Sequence, residues 1–369
     1  VHLYLHIPFC ARRCSYCDFA IAVRKDVPSA RFAAALLAEW KLWRSDSRWS
    51  GFPELATIYL GGGTPSRLEA SVLADLLARL VHDRPLAAGA EVTLEANPED
   101  VTPESARAWR AAGINRVSLG VQSFDPGVLE WMHRTHEAEQ AGRAVETLRA
   151  LGMPQISLDL IYALSPEVPR DWARDLERAI ALEPDHLSLY GLTVEQHTPL
   201  ARWIDRGEAN PAPDERYAAE FLAAHERLTT AGFRHYEVSN YARPGGEAAH
   251  NSAYWRRSPY LGLGPSAHSG LGDRRWWNVR EWSAWEEAIS LGVDTVAGEE
   301  RLDPGALALE NLYLGLRTDT GVPAATIPAH LSEAWTREGW GAVEQERLRL
   351  TPEGWLRLDA LVAQAAAAR

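Results

Sequence analysis

Three cysteines, Cys10, Cys14 and Cys17, lie within eight residues of one another in HIPFCARRCSYCDF, and the 369-residue chain has no other. An iron–sulfur cube has four irons and is ordinarily held by four thiolates. The C-x3-C-x2-C spacing offers three, which leaves one iron open to another ligand. An odd thiol count cannot close a disulfide framework. No charged segment followed by an apolar one opens the sequence, so a reduced, cytoplasmic setting is expected. Structural zinc is the rival, with His6 completing a Cys3His set. Zinc folds usually pair two knuckles, however, and the sequence holds no second one.

Whatever these thiols bind must be met by other elements. Short β-like runs at Leu3–Phe9, Thr57–Gly61, Glu91–Ala96, Arg116–Ser123, Gln155–Tyr162 and His186–Val194 alternate with amphipathic stretches such as Ser29–Arg44, Ser66–His82, Pro103–Ala112, Glu137–Leu151 and Arg170–Leu182. Six strand–helix repeats predict an α/β fold with a parallel sheet and right-handed crossovers. Side chains alternate between the faces of a strand. Val92 and Leu94 oppose Thr93 and Glu95; Val117, Leu119 and Val121 oppose Ser118, Gly120 and Gln122; Ile156, Leu158 and Leu160 oppose Ser157 and Asp159. One face is aliphatic and belongs under helices. The other is small and polar, ending in Glu95, Gln122 and Asp159 at the carboxyl ends of the strands. A packed (βα)8 barrel fills its lumen with bulky aliphatics. A polar lumen predicts instead a partial, TIM-like (βα)6 barrel holding a polar ligand.

Two loops add to this. Gly61-Gly62-Gly63-Thr64-Pro65 follows the second strand, and its glycines would let backbone N–H groups approach a carboxylate. It lacks the spacing and lysine of a nucleotide P-loop. Arg134, after the fourth strand, could clamp a carboxylate in a bidentate manner.

Composition narrows the partners. Hydrophobic residues make up 46% of the chain and charged residues 24%, as in a globular protein. A net charge of −12 argues against nucleic acid as the main partner. No apolar run approaches the ~18 residues of a membrane span. Three parts are expected: a barrel over 1–235, a connecting region over 236–300, and a small C-terminal domain over 301–369. The last would hold helices at Ala306–Leu314 and near Pro328–Glu338, then a strand, a turn and a final helix.

Over almost its whole length the chain resembles the HemN/HemW group of radical S-adenosylmethionine (radical SAM) proteins. The stretches that carry the likeness are LYLHIPFCARRCSYCDF, YLGGGTPS, TLEANPE, RVSLGVQSF, ISLDLIYALSP and HYEVSNYARPG. The resemblance implies a [4Fe–4S] cluster on Cys10, Cys14 and Cys17, with S-adenosylmethionine on its open iron. By position it places Tyr4, Tyr16, Gly62, Gly63, Thr64, Glu95, Gln122, Arg134, Asp159 and Thr193 around that cofactor. It also implies a winged-helix-like C-terminal domain.

Two activities compete within the group. The coproporphyrinogen III dehydrogenases, which decarboxylate their substrate oxidatively without oxygen, carry a further cysteine where Phe19 stands here. They also have an extension ahead of the cluster, whereas this loop begins at residue 10; both differences point away from the decarboxylase. The heme chaperones end their loop in CDF, as Cys17-Asp18-Phe19 does, and carry a His-Asn-x-x-Tyr-Trp motif. Here that motif is His250-Asn251-Ser252-Ala253-Tyr254-Trp255. It implies a transferable heme held by His250 and Tyr254, an imidazole being a common axial ligand of heme iron. The partners it implies are heme and client hemoproteins, membrane-bound ones among them, and self-association into a homo-oligomer is left open. His268 reads as structural, and His6 as packing near the cluster loop. Of the 15 tryptophans, several crowd RRWWNVREWSAWEEA (Arg274 to Ala288). Most read as core, with an apolar patch for heme or a membrane-bound client as the sharper option.

Overall fold

A computed structural model describes residues 1–368. Its centre is a twelve-stranded sheet, whose strands we number in chain order: β1 (His2–Ile7), β2 (Leu55–Gly62), β3 (Leu86–Ala96), β4 (Arg116–Gln122), β5 (Gln155–Tyr162), β6 (His186–Gly191), β7 (Arg234–Glu237), β8 (Asn240–Ala242), β9 (Tyr260–Leu263), β10 (His268–Leu271), β11 (Arg274–Asn278) and β12 (Val296–Arg301). The order across the sheet is β12-β11-β10-β9-β1-β2-β3-β4-β5-β6-β8-β7. Strands β1 to β6 are parallel neighbours in sequence order, the six repeats expected. This is the partial, TIM-like (βα)6 barrel expected.

The face alternation holds. Leu3, Leu5, Leu60, Leu94, Val117, Leu119 and Leu158 have no exposed surface and pack under the helices. Burial of each such side chain contributes roughly 1.5–3 kcal/mol. The covering helices begin where local chemistry satisfies their free N–H groups. Thr102 and Ser105 form a capping box at Pro103–Ala111, and Asp171 accepts from the Arg174 amide at the start of Trp172–Ala181.

Beyond residue 235 the sheet continues. The 235/236 division falls inside β7, and β9 pairs parallel to β1 before β10, β11 and β12 follow antiparallel. A buried carboxylate ties this extension to the first long helix, Ser29–Arg44. Glu39 accepts from the Gly264 amide at 2.7 Å, Asn278 Nδ2 at 2.6 Å and Thr295 Oγ1 at 2.9 Å. Burial raises its pKa to about 7.

Of the four tryptophans between Arg274 and Ala288, Trp277 and Trp282 are half-buried. Trp276 and Trp285 are buried. Trp276 stacks on Trp43 at 5.4 Å, and Trp282 meets Phe9 edge-on at 4.9 Å. The C-terminal part has helices Pro304–Leu316 and Ala329–Arg337 and a three-stranded sheet of Val322–Pro323, Gly341–Glu344 and Arg347–Leu350. Two helices, Pro352–Trp355 and Leu358–Ala367, close it. Among the described residues no helix is long and apolar enough to cross a membrane.

Candidate functional site

The cluster loop grows out of the end of β1. Phe9–Cys10 forms a short parallel pair with Ala22–Val23, which makes the stem of the loop. Inside it Ser15 is the anchor: its amide donates to Met132 O at 3.2 Å and its carbonyl accepts from the Leu200 amide at 2.8 Å. Below it, His6 Nε2 lies 2.8 Å from Ala20 O. His6 therefore packs under the loop, as expected, and its Nδ1 is engaged by Tyr4 OH at 3.1 Å. With both nitrogens committed, His6 does not complete a zinc set.

All three thiols line one cavity of about 470 Å³ at the carboxyl ends of β1 to β6. Thr64 Oγ1 donates to Cys10 Sγ and Arg134 Nη1 to Cys14 Sγ, each at 3.5 Å. Burial pushes the Cys10 thiol up and the Cys17 thiol to about 12, so these two thiols are protonated at neutral pH and metal binding there must displace protons. Among the described residues no three His, Cys, Asp or Glu side chains converge on a single point as ligands of one ion. A cube does not require it, since each thiolate holds its own iron. Three free thiols in one wall, with donors aimed at two of the sulfurs, fit that group.

Twelve of the fifteen expected residues line this cavity: the thiols, Tyr16, Gly62, Gly63, Thr64, Glu95, Gln122, Arg134, Asp159 and Thr193. Glu95 accepts from Tyr59 OH at 2.7 Å and the Gly62 amide at 3.1 Å. Burial raises its pKa to about 7, and the nearby Asp159 adds to the rise. Asp159 accepts from Ser118 Oγ at 3.0 Å; burial raises it to about 6. Gln122 sits at a bulge, where the register against β5 shifts, with φ at 66°. Such backbone costs ~1–3 kcal/mol and clusters at functional sites. Arg134 Nη2 is held by Asn97 Oδ1 at 2.6 Å and Gly120 O at 2.7 Å.

The other three expected residues lie elsewhere. Tyr4 faces a second cavity, behind the Gly62–Glu95 contact, and Tyr254 lines that second cavity too. His250 lines neither. Its ring is buried, with Nδ1 2.6 Å from Thr57 Oγ1 and Nε2 2.8 Å from Tyr254 OH, and it stacks on Tyr59 at 5.0 Å. The expected axial ligand is thus a core histidine with no free nitrogen, kept neutral by burial, which lowers its pKa to about 3. Its neighbour Asn251 is the motif residue that reaches the main cavity.

The Gly-rich loop also differs from expectation. Its amides do not face the cavity: Gly62 donates to Glu95, Gly63 to Ile7 O at 2.7 Å and Thr64 to Phe9 O at 2.9 Å. The glycines serve close packing against β1, because a Cβ on Gly63 would lie 2.6 Å from the Pro8 carbonyl carbon.

Sequence reasoning missed Tyr59, Arg116, His186 and Tyr190, which also line the cavity. The signal was present in the strand alternation. Arg116 has the parity of Ser118, and Tyr59 that of Gly61 on β2. Arg116 Nη1 donates to Gln155 Oε1 at 2.6 Å and Gly246 O at 2.9 Å.

A thiol-bearing loop over the polar mouth of a parallel partial barrel defines a radical SAM protein, and the Radical SAM superfamily pattern matches residues 4–179. Similarity extends further along the chain. A protein of Mycobacterium tuberculosis named "Heme chaperone HemW" is 40% identical over 366 residues, covering 98% of this chain and 93% of its own. The protein of that name from Escherichia coli is 39% identical over 72% of this chain and 69% of its own. In solved structures, coproporphyrinogen III oxidase (HemN) from Escherichia coli aligns with a TM-score of 0.80 at 22% identity, covering 100% of this chain and 90% of that one. This last likeness concerns the fold. The chain belongs to the HemW family of radical SAM proteins.

Proposed function

We infer that this protein is a heme chaperone: it carries a [4Fe–4S] cluster and S-adenosylmethionine in the main cavity and delivers heme to client hemoproteins. The observation that carries the first half is the convergence of Cys10, Cys14 and Cys17 with Glu95, Gln122, Arg134 and Asp159 on one cavity. The heme half rests on the relatives named heme chaperones over nearly the full chain. Three open thiols favour reducing surroundings, which the cytoplasm supplies.

The parts divide by chemistry. Thiolates of the three cysteines would hold three irons, while Thr64 and Arg134 donate to sulfur and stabilise its negative charge. Glu95 and Asp159 would accept from the amine and hydroxyl groups of S-adenosylmethionine. Tyr16 packs against the apolar cluster of Val128, Met132, Ile161, Leu164 and Val168 and lines the cavity beside it. When bound, a reduced cluster of this kind supplies one electron for reductive cleavage of S-adenosylmethionine.

The test is anaerobic reconstitution followed by two assays on the same sample. The chaperone reading expects three-cysteine-dependent iron and sulfide, saturable hemin binding, and transfer of that heme to an apo-hemoprotein. Consumption of coproporphyrinogen III with release of carbon dioxide, and no heme transfer, would replace it with the dehydrogenase.

A further inference from the structure

Three tyrosines stand between the two cavities, and each phenol is hydrogen-bonded to a base. Tyr59 lines the main cavity, while Tyr4 and Tyr254 line the second. Tyr59 OH donates to Glu95 Oε1 at 2.7 Å, Tyr4 OH lies 3.1 Å from His6 Nδ1, and Tyr254 OH lies 2.8 Å from His250 Nε2. A buried phenol needs a hydrogen-bond partner; here every partner can also take a proton. A carbonyl only accepts, so His6 Nε2, 2.8 Å from Ala20 O, carries the N–H and Nδ1 accepts from Tyr4. In the matching assignment for His250, Nδ1–H donates to Thr57 Oγ1 and Nε2 accepts from Tyr254. Burial lowers the His6 pKa to about 4 and that of His250 to about 3, so both rings are neutral.

The rings form a continuous stack. Tyr4 and Tyr59 are register partners on β1 and β2, with ring centres 6.1 Å apart at 26°. Tyr59 lies on His250 at 5.0 Å, and His250 meets Tyr254 edge-on at 5.1 Å. Tyr254 in turn meets Tyr260 edge-on at 4.7 Å. A Cβ on Gly61 would lie 2.8 Å from Tyr59 Cε1 and 3.0 Å from Glu95 Oε1, so a side chain there would displace that pair. Burial raises the pKa of all three phenols and keeps them protonated. An oxidised phenol is a strong acid, however, and even a weak base in contact with it takes its proton.

We propose that Tyr59, Tyr4 and Tyr254 form a relay that draws a one-electron oxidising equivalent out of the main cavity. It rests on the reading of that cavity as an S-adenosylmethionine site, and its oxidant is a carbon-centred radical formed there. The radical carbon takes a hydrogen atom from Tyr59: the O–H bond breaks, a C–H bond forms, and a neutral tyrosyl remains. This runs downhill, because a phenol O–H bond is weaker than an alkane C–H bond. Tyr59 is restored by an electron from Tyr4 and a proton from Glu95, while the Tyr4 proton moves to His6 Nδ1. Tyr4 then takes an electron from Tyr254 and recovers its proton from His6, and the Tyr254 proton moves to His250 Nε2. The unpaired electron ends on Tyr254, with Glu95 ionised and His250 protonated. A radical that meets no substrate thus leaves the cavity that carries the three thiols.

The test is freeze-quenched electron paramagnetic resonance of the reconstituted full chain, mixed anaerobically with S-adenosylmethionine and dithionite. 5′-Deoxyadenosine is measured in the same samples. Wild type is expected to give an organic radical whose spectrum narrows when the chain carries ring-deuterated tyrosine. Tyr59→Phe should lose that signal relative to the 5′-deoxyadenosine formed, and Tyr4→Phe should hold the radical on Tyr59 and lengthen its life. Both changes keep the ring, so both variants should melt close to wild type. 5′-Deoxyadenosine formed without a tyrosyl signal, or an unchanged signal in Tyr59→Phe, overturns the relay and leaves the cofactor reading intact. No 5′-deoxyadenosine in wild type overturns that reading, and the relay with it.

Discussion

The Glu95 carboxylate is 3.1 Å from the Gly62 amide, and together these residues form the partition between the two cavities. Gly62 has φ at 111°, and a Cβ there would lie 2.7 Å from the His6 ring. Gly62→Ala should therefore push on His6 and, through its bond to Ala20, on the cluster loop. We expect a stability loss of roughly 1–3 kcal/mol and loss of most reconstituted iron and sulfide. Gly51→Ala is the control, since nothing lies within 4 Å of its Cβ position. Wild-type iron content in Gly62→Ala would disconnect the partition from the loop.

Glu95 itself gives a pH dependence. Burial holds its pKa at about 7, well above an unfolded carboxylate. Below the unfolded value both states are protonated and the folded form bears no cost. As pH rises toward about 7 the unfolded chain gives up a proton that the folded chain keeps, so stability falls across that window. Glu95→Gln removes this contribution. Urea unfolding should show the variant gaining on wild type by roughly 1–3 kcal/mol between about pH 5 and about pH 8. An equal difference at both pH values would contradict the buried, raised carboxylate.

His250 should behave as a core residue. Truncation to Ala leaves Thr57 Oγ1 and Tyr254 OH without one partner each and opens a void beside Tyr59. Denaturant unfolding should report a loss of about 2–4 kcal/mol. Any weaker heme binding in that variant should come with a lower melting temperature. Weaker binding at an unchanged melting temperature would show instead that the imidazole acts directly.

Cys14→Ala should abolish the broad visible absorption of the reconstituted protein and its iron and sulfide. The apo form should melt close to wild type, because Cys14 is only half-buried and receives a single 3.5 Å contact from Arg134. Full iron and sulfide in the variant would remove Cys14 from the ligand set.

Much of the barrel was legible in the chain. Cysteine spacing and two-residue alternation are local properties, so the cluster loop on Cys10, Cys14 and Cys17 and the shared face of Glu95, Gln122 and Asp159 could each be read from the chain, while the family resemblance joined the two. The same parity, followed one step further, reaches Arg116 and Tyr59. The extension through β9 to β12 was not legible. It depends on the pairing of β9 with β1 and on Glu39 joining Gly264, Asn278 and Thr295, which are more than 220 residues away in sequence.

The sequence by itself determined which groups are available: three thiols, a polar strand face and a histidine-bearing motif. The tertiary structure decided which of those groups remain free. Thr57 lies 193 residues from His250, yet in the fold it occupies one ring nitrogen of that histidine while Tyr254 occupies the other. The amides of the Gly-rich loop are likewise spent on Glu95, Ile7 and Phe9. A buried polar atom must be satisfied, and only the folded chain brings up the partner that satisfies it.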